Sequence, residues 1–526
     1  MKKFFKLMFS RLTLVGLTIV ILFIVDFAVA FGVLHLLNLL LTALFPSAAS
    51  WIDASLMVIS WFVVVLTVLH IVNRDMVPEA KIPWLLCVIA LQLFGVAIYA
   101  VFSYNRPSKK QRKTFRQLYE RSREVQERTV SKEELEREMG RWAGLGESLC
   151  RYTSAAVPHA GTKTEYFPTG ETFWKSLLED LEHAEKYIFM EYFIIDRGEM
   201  WYSILDVLRR KVKEGVEVRV MYDDIGSMGK IRTGYARLLR KEGIACRKFN
   251  PFVPVISNIH NNRDHRKITV VDGKIGYVGG VNLADEYVNV KRPYGQWKDT
   301  AVRMEGAGVR NLILMFLQLY NMRSDNAEDF APYIPERYEV YADEGFVQPY
   351  GDGPRPLYSR SVGEDVYLNI INEAKRYVWI TTPYLIIDYR LREALLRAAA
   401  RGTDVRILTP HIPDKKVIFA LTRSNYSALI KGGVKIYEYT PGFVHAKSFL
   451  ADDEVGVVGT INLDYRSLLH HFECAVLMYR TSALISLKRD LEETFAISAL
   501  QTEADAKKNV VARGLCEVAK VFAPLF

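Results

Sequence analysis

His265-Arg-Lys267 and His445-Ala-Lys447 each set an imidazole and an ammonium two residues apart. In a strand that spacing turns both side chains to one face, where they can meet a single anion. Counting from each His, an Asp follows at +7 (Asp272, Asp452), a Gly at +14 (Gly279, Gly459) and an Asn at +17 (Asn282, Asn462). His, Lys, Asp, Gly and Asn all recur at one offset of 180 residues, amid sequence that otherwise differs. Two imidazoles, two ammoniums and two amides around one centre suit a phosphate diester. The lysines and amides would hold its non-bridging oxygens and the charge that builds on them in the transition state. One imidazole would attack phosphorus to give a phosphohistidine. The other would give a proton to the leaving oxygen and take one from the incoming alcohol. This chemistry calls for no metal and no other cofactor, and no carboxylate cluster resembling a metal cage surrounds either motif. Asp272 and Asp452 are carried with the catalytic candidates, although their place down the strand–turn unit favours pairing charges within the motif. Gly279 and Gly459 let the turn that follows approach closely.

The elements around the motifs repeat as well. Residues 177–189 read as a helix entering a strand that continues through 190–195, and a further helix precedes the strand 216–224. In the second half, 370–380 leads into 381–387, and the helix Leu391–Ala400 precedes the strand 404–410. Short apolar runs between helical patterns predict an α/β class with buried parallel strands.

The first hundred residues differ in kind. Leu12–Phe45, Ala54–Val72 and Pro83–Tyr104 are apolar stretches. About 20 residues cross a bilayer, so the second and third fit one span each and the first is too long for one untilted helix. Lys2, Lys3, Lys6 and Arg11 before them, and Arg106, Lys109, Lys110, Arg112, Lys113 and Arg116 after them, put both ends in the cytoplasm. That demands an even number of crossings and an irregular or double first segment. Residues 117–141 are charged and read as a solvated helical linker. The 526 residues divide accordingly into an anchor at 1–104, a charged helical linker at 105–159, and two halves at 160–345 and 346–526. A net charge of +9 fits an anionic partner. The five cysteines are scattered and lack CxxC spacing, which suits a reducing compartment and argues against zinc and disulfides.

The duplicated HxKxxxxD motif resembles the phospholipase D superfamily. The surrounding text is similar to its bacterial cardiolipin synthases: Glu191-Tyr-Phe-Ile-Ile, Tyr222-Asp-Asp-Ile-Gly226, Thr381-Thr-Pro-Tyr-Leu, Tyr437-Glu-Tyr-Thr-Pro-Gly-Phe-Val-His445, Asn462-Leu-Asp-Tyr-Arg-Ser467 and His470-His-Phe-Glu473. The resemblance spans about 160–500. It implies a bilobal fold of two pseudo-repeated α/β/α halves, with both motifs at their interface, behind an N-terminal transmembrane region. It implies transfer of a phosphatidyl group from one phosphatidylglycerol to another, giving cardiolipin and glycerol. It also implies a multi-pass protein of the bacterial cell membrane, with its catalytic part in the cytoplasm and anionic membrane lipid, not nucleic acid, as partner. Superfamily members commonly attack with the first His, which makes His265 the nucleophile and His445 the acid/base. They also orient a catalytic His through Nδ1 with a downstream Glu. Glu473, 28 residues beyond His445, is that candidate, and Asp299, 34 beyond His265, is its stand-in in the first half. Two other enzymes share the motif. A hydrolase would use water as acceptor and release phosphatidic acid. A membrane-tethered nuclease would carry a basic groove with stacking aromatics, and no comparable basic cluster accompanies either motif.

Overall fold

The computed structural model describes residues 49–103, 107–153, 155–252, 261–323, 328–342, 345–505 and 510–525. The first apolar stretch, 12–45, lies outside the described residues. The chain forms two units, one of residues 1–106, 252–261 and 517–526, the other of 107–251 and 262–516.

In the first unit, helix α1 (Ala49–Asn73) and helix α2 (Pro78–Phe102) are each long and apolar enough to cross a membrane. Val64, Ile71, Trp84, Val88 and Tyr99 pack together between them. The Arg74 guanidinium, in the short connection, donates to Tyr99 Oη at 3.1 Å and to the Ser103 carbonyl at 2.9 Å. Gln92 breaks the helical geometry inside α2, at φ 51°.

The second unit is built on two mixed sheets. In chain order its strands are β1 (His159–Ala160), β2 (Lys163–Phe167), β3 (Tyr187–Tyr192), β4 (Glu217–Asp223), β5 (Ala245–Phe249), β6 (Lys267–Val271), β7 (Ile275–Gly279), β8 (Gln296–Lys298) and β9 (Ala301–Glu305). They continue with β10 (Phe346–Asp352), β11 (Tyr377–Thr381), β12 (Asp404–Pro410), β13 (Lys435–Tyr439), β14 (Gly442–Val444), β15 (Ser448–Ala451), β16 (Val455–Gly459), β17 (Glu473–Tyr479) and β18 (Ala499–Leu500). The smaller sheet runs β2-β9-β7-β6-β3-β4-β5. Inside the larger, β10-β17-β16-β15-β11-β12-β13 follow in the same order, with β1 and β18 at its edges. A separate parallel pair joins β8 to β14.

The parallel strands expected from the apolar runs are found in β3–β4–β5 and β11–β12–β13. The motif strands β6 and β15 pair antiparallel with β7 and β16. Their connections, 272–274 and 452–454, are too short for a parallel crossover. Asp272 (φ 51°) with Gly273 (φ 69°), and Asp452 (φ 56°) with Asp453 (φ 62°), turn these corners in the left-handed region that hairpins with right-handed twist favour. A buried apolar run looks the same in either orientation, so the sequence pattern does not separate the two. The helix that enters the first strand spans Gly170–Glu182, and β3 runs Tyr187–Tyr192, ending short of the expected 195.

The helix Val309–Tyr320 is buried at every residue. It packs on β3, β6 and β7 of one sheet and β10 of the other, which suits its predominantly apolar sequence, and its buried Asn311 and Gln318 are paired with the Val157 and Pro349 carbonyls and with Ser122. Residues 117–141 are not a solvated linker. Phe115, Leu118, Val130, Leu135, Met139 and Trp142 are buried in the same core as the larger sheet. The charged majority of that stretch hides the few buried positions, Phe115, Leu118 and then Ser122, that make one helix face.

Candidate active site

Each motif histidine is held by backbone from the other sheet's side of the molecule. The His265 N–H donates to the Phe472 carbonyl at 2.9 Å, and the Phe472 N–H to the Arg263 carbonyl at 2.8 Å. The His445 N–H donates to the Lys298 carbonyl at 2.7 Å, where β14 lies parallel to β8 with Val444 opposite Lys298. The residue after each of these carbonyls is an acid. Glu473 therefore reaches His265, with Oε1 and Oε2 at 3.0 and 2.9 Å from Nδ1. Asp299 reaches His445, with Oδ2 at 2.5 Å from Nδ1.

The acids thus stand with the opposite histidines from those their downstream offsets suggest, Glu473 with His265 and Asp299 with His445. The two are equivalent positions. Ala301 pairs with Gly279 and Ala475 with Gly459, and each acid lies two residues before its alanine. The connection from Asn282 to Asp299 is six residues longer than that from Asn462 to Glu473, which hides the match. A Cβ on Gly279 would come within 2.4 Å of the Thr300 carbonyl, and one on Gly459 within 2.4 Å of Ala475. The close approach that sets each acid in place therefore depends on both glycines.

The lysines complete the cluster. Lys267 Nζ donates to the His265 carbonyl at 2.6 Å. Lys447 Nζ contacts the His445 carbonyl and lies 2.8 Å from His445 Nδ1. Lys267 and Lys447 each lie in the field of both Glu473 and Asp299, so the two motifs meet in one place. Asn282 is committed: its Oδ1 accepts from the Ile194 N–H at 3.0 Å and its amide donates to Tyr287 Oη at 2.8 Å. Asn462 donates to Asp464 at 3.0 Å, while its Oδ1 is buried without a hydrogen bond.

Asp272 and Asp452 are not brought to the cluster. Each stands five residues beyond its motif Lys, at the far end of β6 or β15, about 16 Å away at the rise of a strand. Their carboxylates accept three backbone N–H groups apiece: Glu185, Lys186 and Tyr187 at 2.7–2.9 Å, and Lys375, Arg376 and Tyr377 at 2.7–2.9 Å. They tie the hairpin corner to the start of the neighbouring strand.

Burial sets the electrostatics. It drives the His265 imidazole down to about 3, although Glu473 opposes this, and it drives His445 well below the usual range, helped by Lys447 and Lys267. Burial lowers Lys267 to about 8 and Lys447 to about 7. Asp299 is raised by burial to about 6. Glu473 goes the other way: burial pushes it up, but His265 and His471 hold it well below the carboxylate range. Both rings are neutral near pH 7, one facing an anion and the other facing an acid and an amine.

Several residues here have no motif signal of their own. Phe193 meets His265 edge-on with ring centres 5.0 Å apart, and Tyr287 and Trp297 flank His445 at 5.3 and 5.2 Å. The fully buried Arg266 ties the first motif to the second, donating to the Glu473 carbonyl at 3.1 Å and to Tyr358 Oη at 3.0 Å. The Thr460 hydroxyl donates to Glu473. His265, His471 and Glu473 present ligating atoms within 4.8 Å of one another, the one such trio among the described residues.

A family described as cardiolipin synthase, PLD-like domain, matches residues 177–293 and 367–496. An uncharacterised protein of Streptococcus mutans is 45% identical over 463 residues, covering 87% of this chain and 99% of that one. A cardiolipin synthase of Alkalihalophilus pseudofirmus is 33% identical over 467 residues, covering 87% and 92%. Among solved structures, phosphatidylserine synthase from Haemophilus influenzae aligns with a TM-score of 0.54 at 14% identity, over 73% of this chain and 99% of that one, a likeness of fold. With a phospholipase D-like α/β fold and relatives of this closeness over nearly their whole length, the chain belongs to the cardiolipin synthase family.

Proposed function

We propose that the chain transfers a phosphatidyl group between two phosphatidylglycerol molecules through a phosphohistidine on His265. The observation that carries this reading is the unequal company of the two Nδ1 atoms. His265 Nδ1 faces the Glu473 carboxylate. It donates its proton there and leaves a lone pair on Nε2. His445 Nδ1 faces the Lys447 ammonium as well as Asp299, whose carboxyl burial raises to about 6; with the proton of that short contact on Asp299, Nδ1 keeps a lone pair and Nε2 carries the ring's proton. The first ring is thereby a nucleophile and the second an acid.

Nε2 of His265 attacks phosphorus and the bond to the departing glycerol oxygen breaks. His445 gives that oxygen its Nε2 proton, while Nδ1 takes one from the Lys447–Asp299 pair. The hydroxyl of a second phosphatidylglycerol then attacks phosphorus. Its proton goes to Nε2 of His445 while Nδ1 returns one to the Lys447–Asp299 pair, and the P–N bond breaks with its electrons returning to His265. Lys267 and Lys447 hold the non-bridging oxygens throughout. Aromatic walls at Phe193, Tyr287 and Trp297 keep water from the phosphohistidine, which favours transfer over hydrolysis.

The equal strand orders support two copies of one unit, 160–345 and 346–526, forming a bilobal fold. The apolar helices and the basic residues that follow them support a multi-pass protein of the bacterial membrane with the catalytic part in the cytoplasm, acting on anionic lipid rather than nucleic acid. The purified chain given phosphatidylglycerol should yield cardiolipin and glycerol, and His265→Asn and His445→Asn should each abolish both. Phosphatidic acid as the sole lipid product overturns transfer in favour of hydrolysis.

A further inference from the structure

Two residues before each orienting acid stands a ring: Trp297 before Asp299, and His471 before Glu473. Trp297 lies 5.2 Å from His445 and His471 lies 5.4 Å from His265, centre to centre. The acids are equivalent, so these positions are too, and the near-symmetry of the site breaks here. An indole only donates, whereas an imidazole can donate at one nitrogen and accept at the other.

The His471 side chain is about nine-tenths buried. Neither of its ring nitrogens makes a hydrogen bond. Nδ1 lies 3.5 Å from Glu473 Oε1, just beyond hydrogen-bond reach, and Phe193 stacks on the ring at 6.5 Å. A buried imidazole whose nearest polar partner stands this far off is under-satisfied and costly, and a ring serving only to fill space carries no reason for that cost. His265 meanwhile spans both oxygens of Glu473.

We propose that His471 is a positioning residue for His265: when the phosphate diester enters, the His471 ring closes onto Glu473 Oε1, confines the His265 Nδ1–H to Oε2, and so fixes the attacking nitrogen. The proposal rests on the phosphohistidine reading above. At the equivalent position Trp297 bears on Asp299 through its indole N–H, so each orienting acid has a ring donor beside it.

The test compares the full-length protein in detergent with its His471→Leu and His471→Asn variants. Leu fills the space without a donor, and Asn keeps an amide where Nδ1 stood. Phosphatidylglycerol consumption and single-turnover phosphohistidine formation are measured per folded molecule. His471→Leu should lower kcat and the phosphorylation rate about ten- to a hundredfold, the worth of one hydrogen bond to a charged group, with KM within about threefold of wild type. His471→Asn should recover most of that loss. Wild-type rates in His471→Leu, a loss confined to KM, or equal losses in both variants overturn the proposal. A wild-type chain that consumes no phosphatidylglycerol overturns the function reading instead.

Discussion

At the scale of the residue, two amines with lowered affinity for protons govern the pH response. Lys447 sits at about 7 and Lys267 at about 8, chiefly through burial. An amine whose pKa is lowered sheds its charge as pH rises through that value, and an anionic phosphodiester then loses its counter-charge. We expect kcat/KM for phosphatidylglycerol to fall between about pH 7 and pH 9, because kcat/KM reports the free enzyme. Lys447→Arg, which keeps its charge over that range, should flatten the decline, as a pH series on both proteins would reveal. Glu473→Gln leaves His265 without its anion. It should lower kcat by at least about a hundredfold with little change in KM, as loss of an orienting carboxylate does elsewhere. Type and spacing along the chain name both histidines and both lysines, whereas both acids come from the family resemblance and stand at unequal offsets, 28 and 34. Which acid serves which histidine is not written there, because the link is made by strand pairing between Asp264 and Phe472, and between Val444 and Lys298.

At the scale of the element, the hairpins β6–β7 and β15–β16 present the motif at one end and anchor it at the other. Removing the anchor should cost stability and spare chemistry. Asp452→Asn weakens three backbone hydrogen bonds and the Arg141 ion pair at 2.6 Å. We expect a loss of about 2–4 kcal/mol, from the usual worth of hydrogen bonds to a buried charge, with activity per folded molecule within about threefold of wild type. Thermal melts beside the lipid assay would separate the two quantities. The antiparallel orientation of the motif strands was not legible in a run such as Ile268–Val271, since a strand covered on both faces shows no alternation. Likewise 117–141 hid its buried face, because only a few of its residues turn inward and polar contacts to the helix Val309–Tyr320, Gln318 to Ser122 and Gln126 to Asn311, stand among them.

At the scale of the molecule, α1 and α2 are joined by only four residues, 74–77. If both cross the bilayer and the catalytic part is cytoplasmic, that connection faces outward. Asp75→Cys should therefore react with a membrane-impermeant maleimide in intact cells, while Arg151→Cys should react only after lysis. Equal labelling of both before lysis would overturn the assignment of sides. The apolar segments were plain from composition, whereas the expectation of an even number of crossings rests on flanking charge alone.

The exchange of acids between histidines has one more consequence. Glu473 belongs to the C-terminal half yet serves the N-terminal histidine, and Asp299 does the reverse. A fragment carrying one complete motif therefore lacks the carboxylate its own imidazole needs. Two copies of the same fragment could restore it only by swapping strands like this chain does with itself. Cutting the gene between residues 345 and 346 should thus yield two inert products that regain turnover only when mixed, and a chimera joining halves from distant relatives should fail at the graft before it fails at either motif.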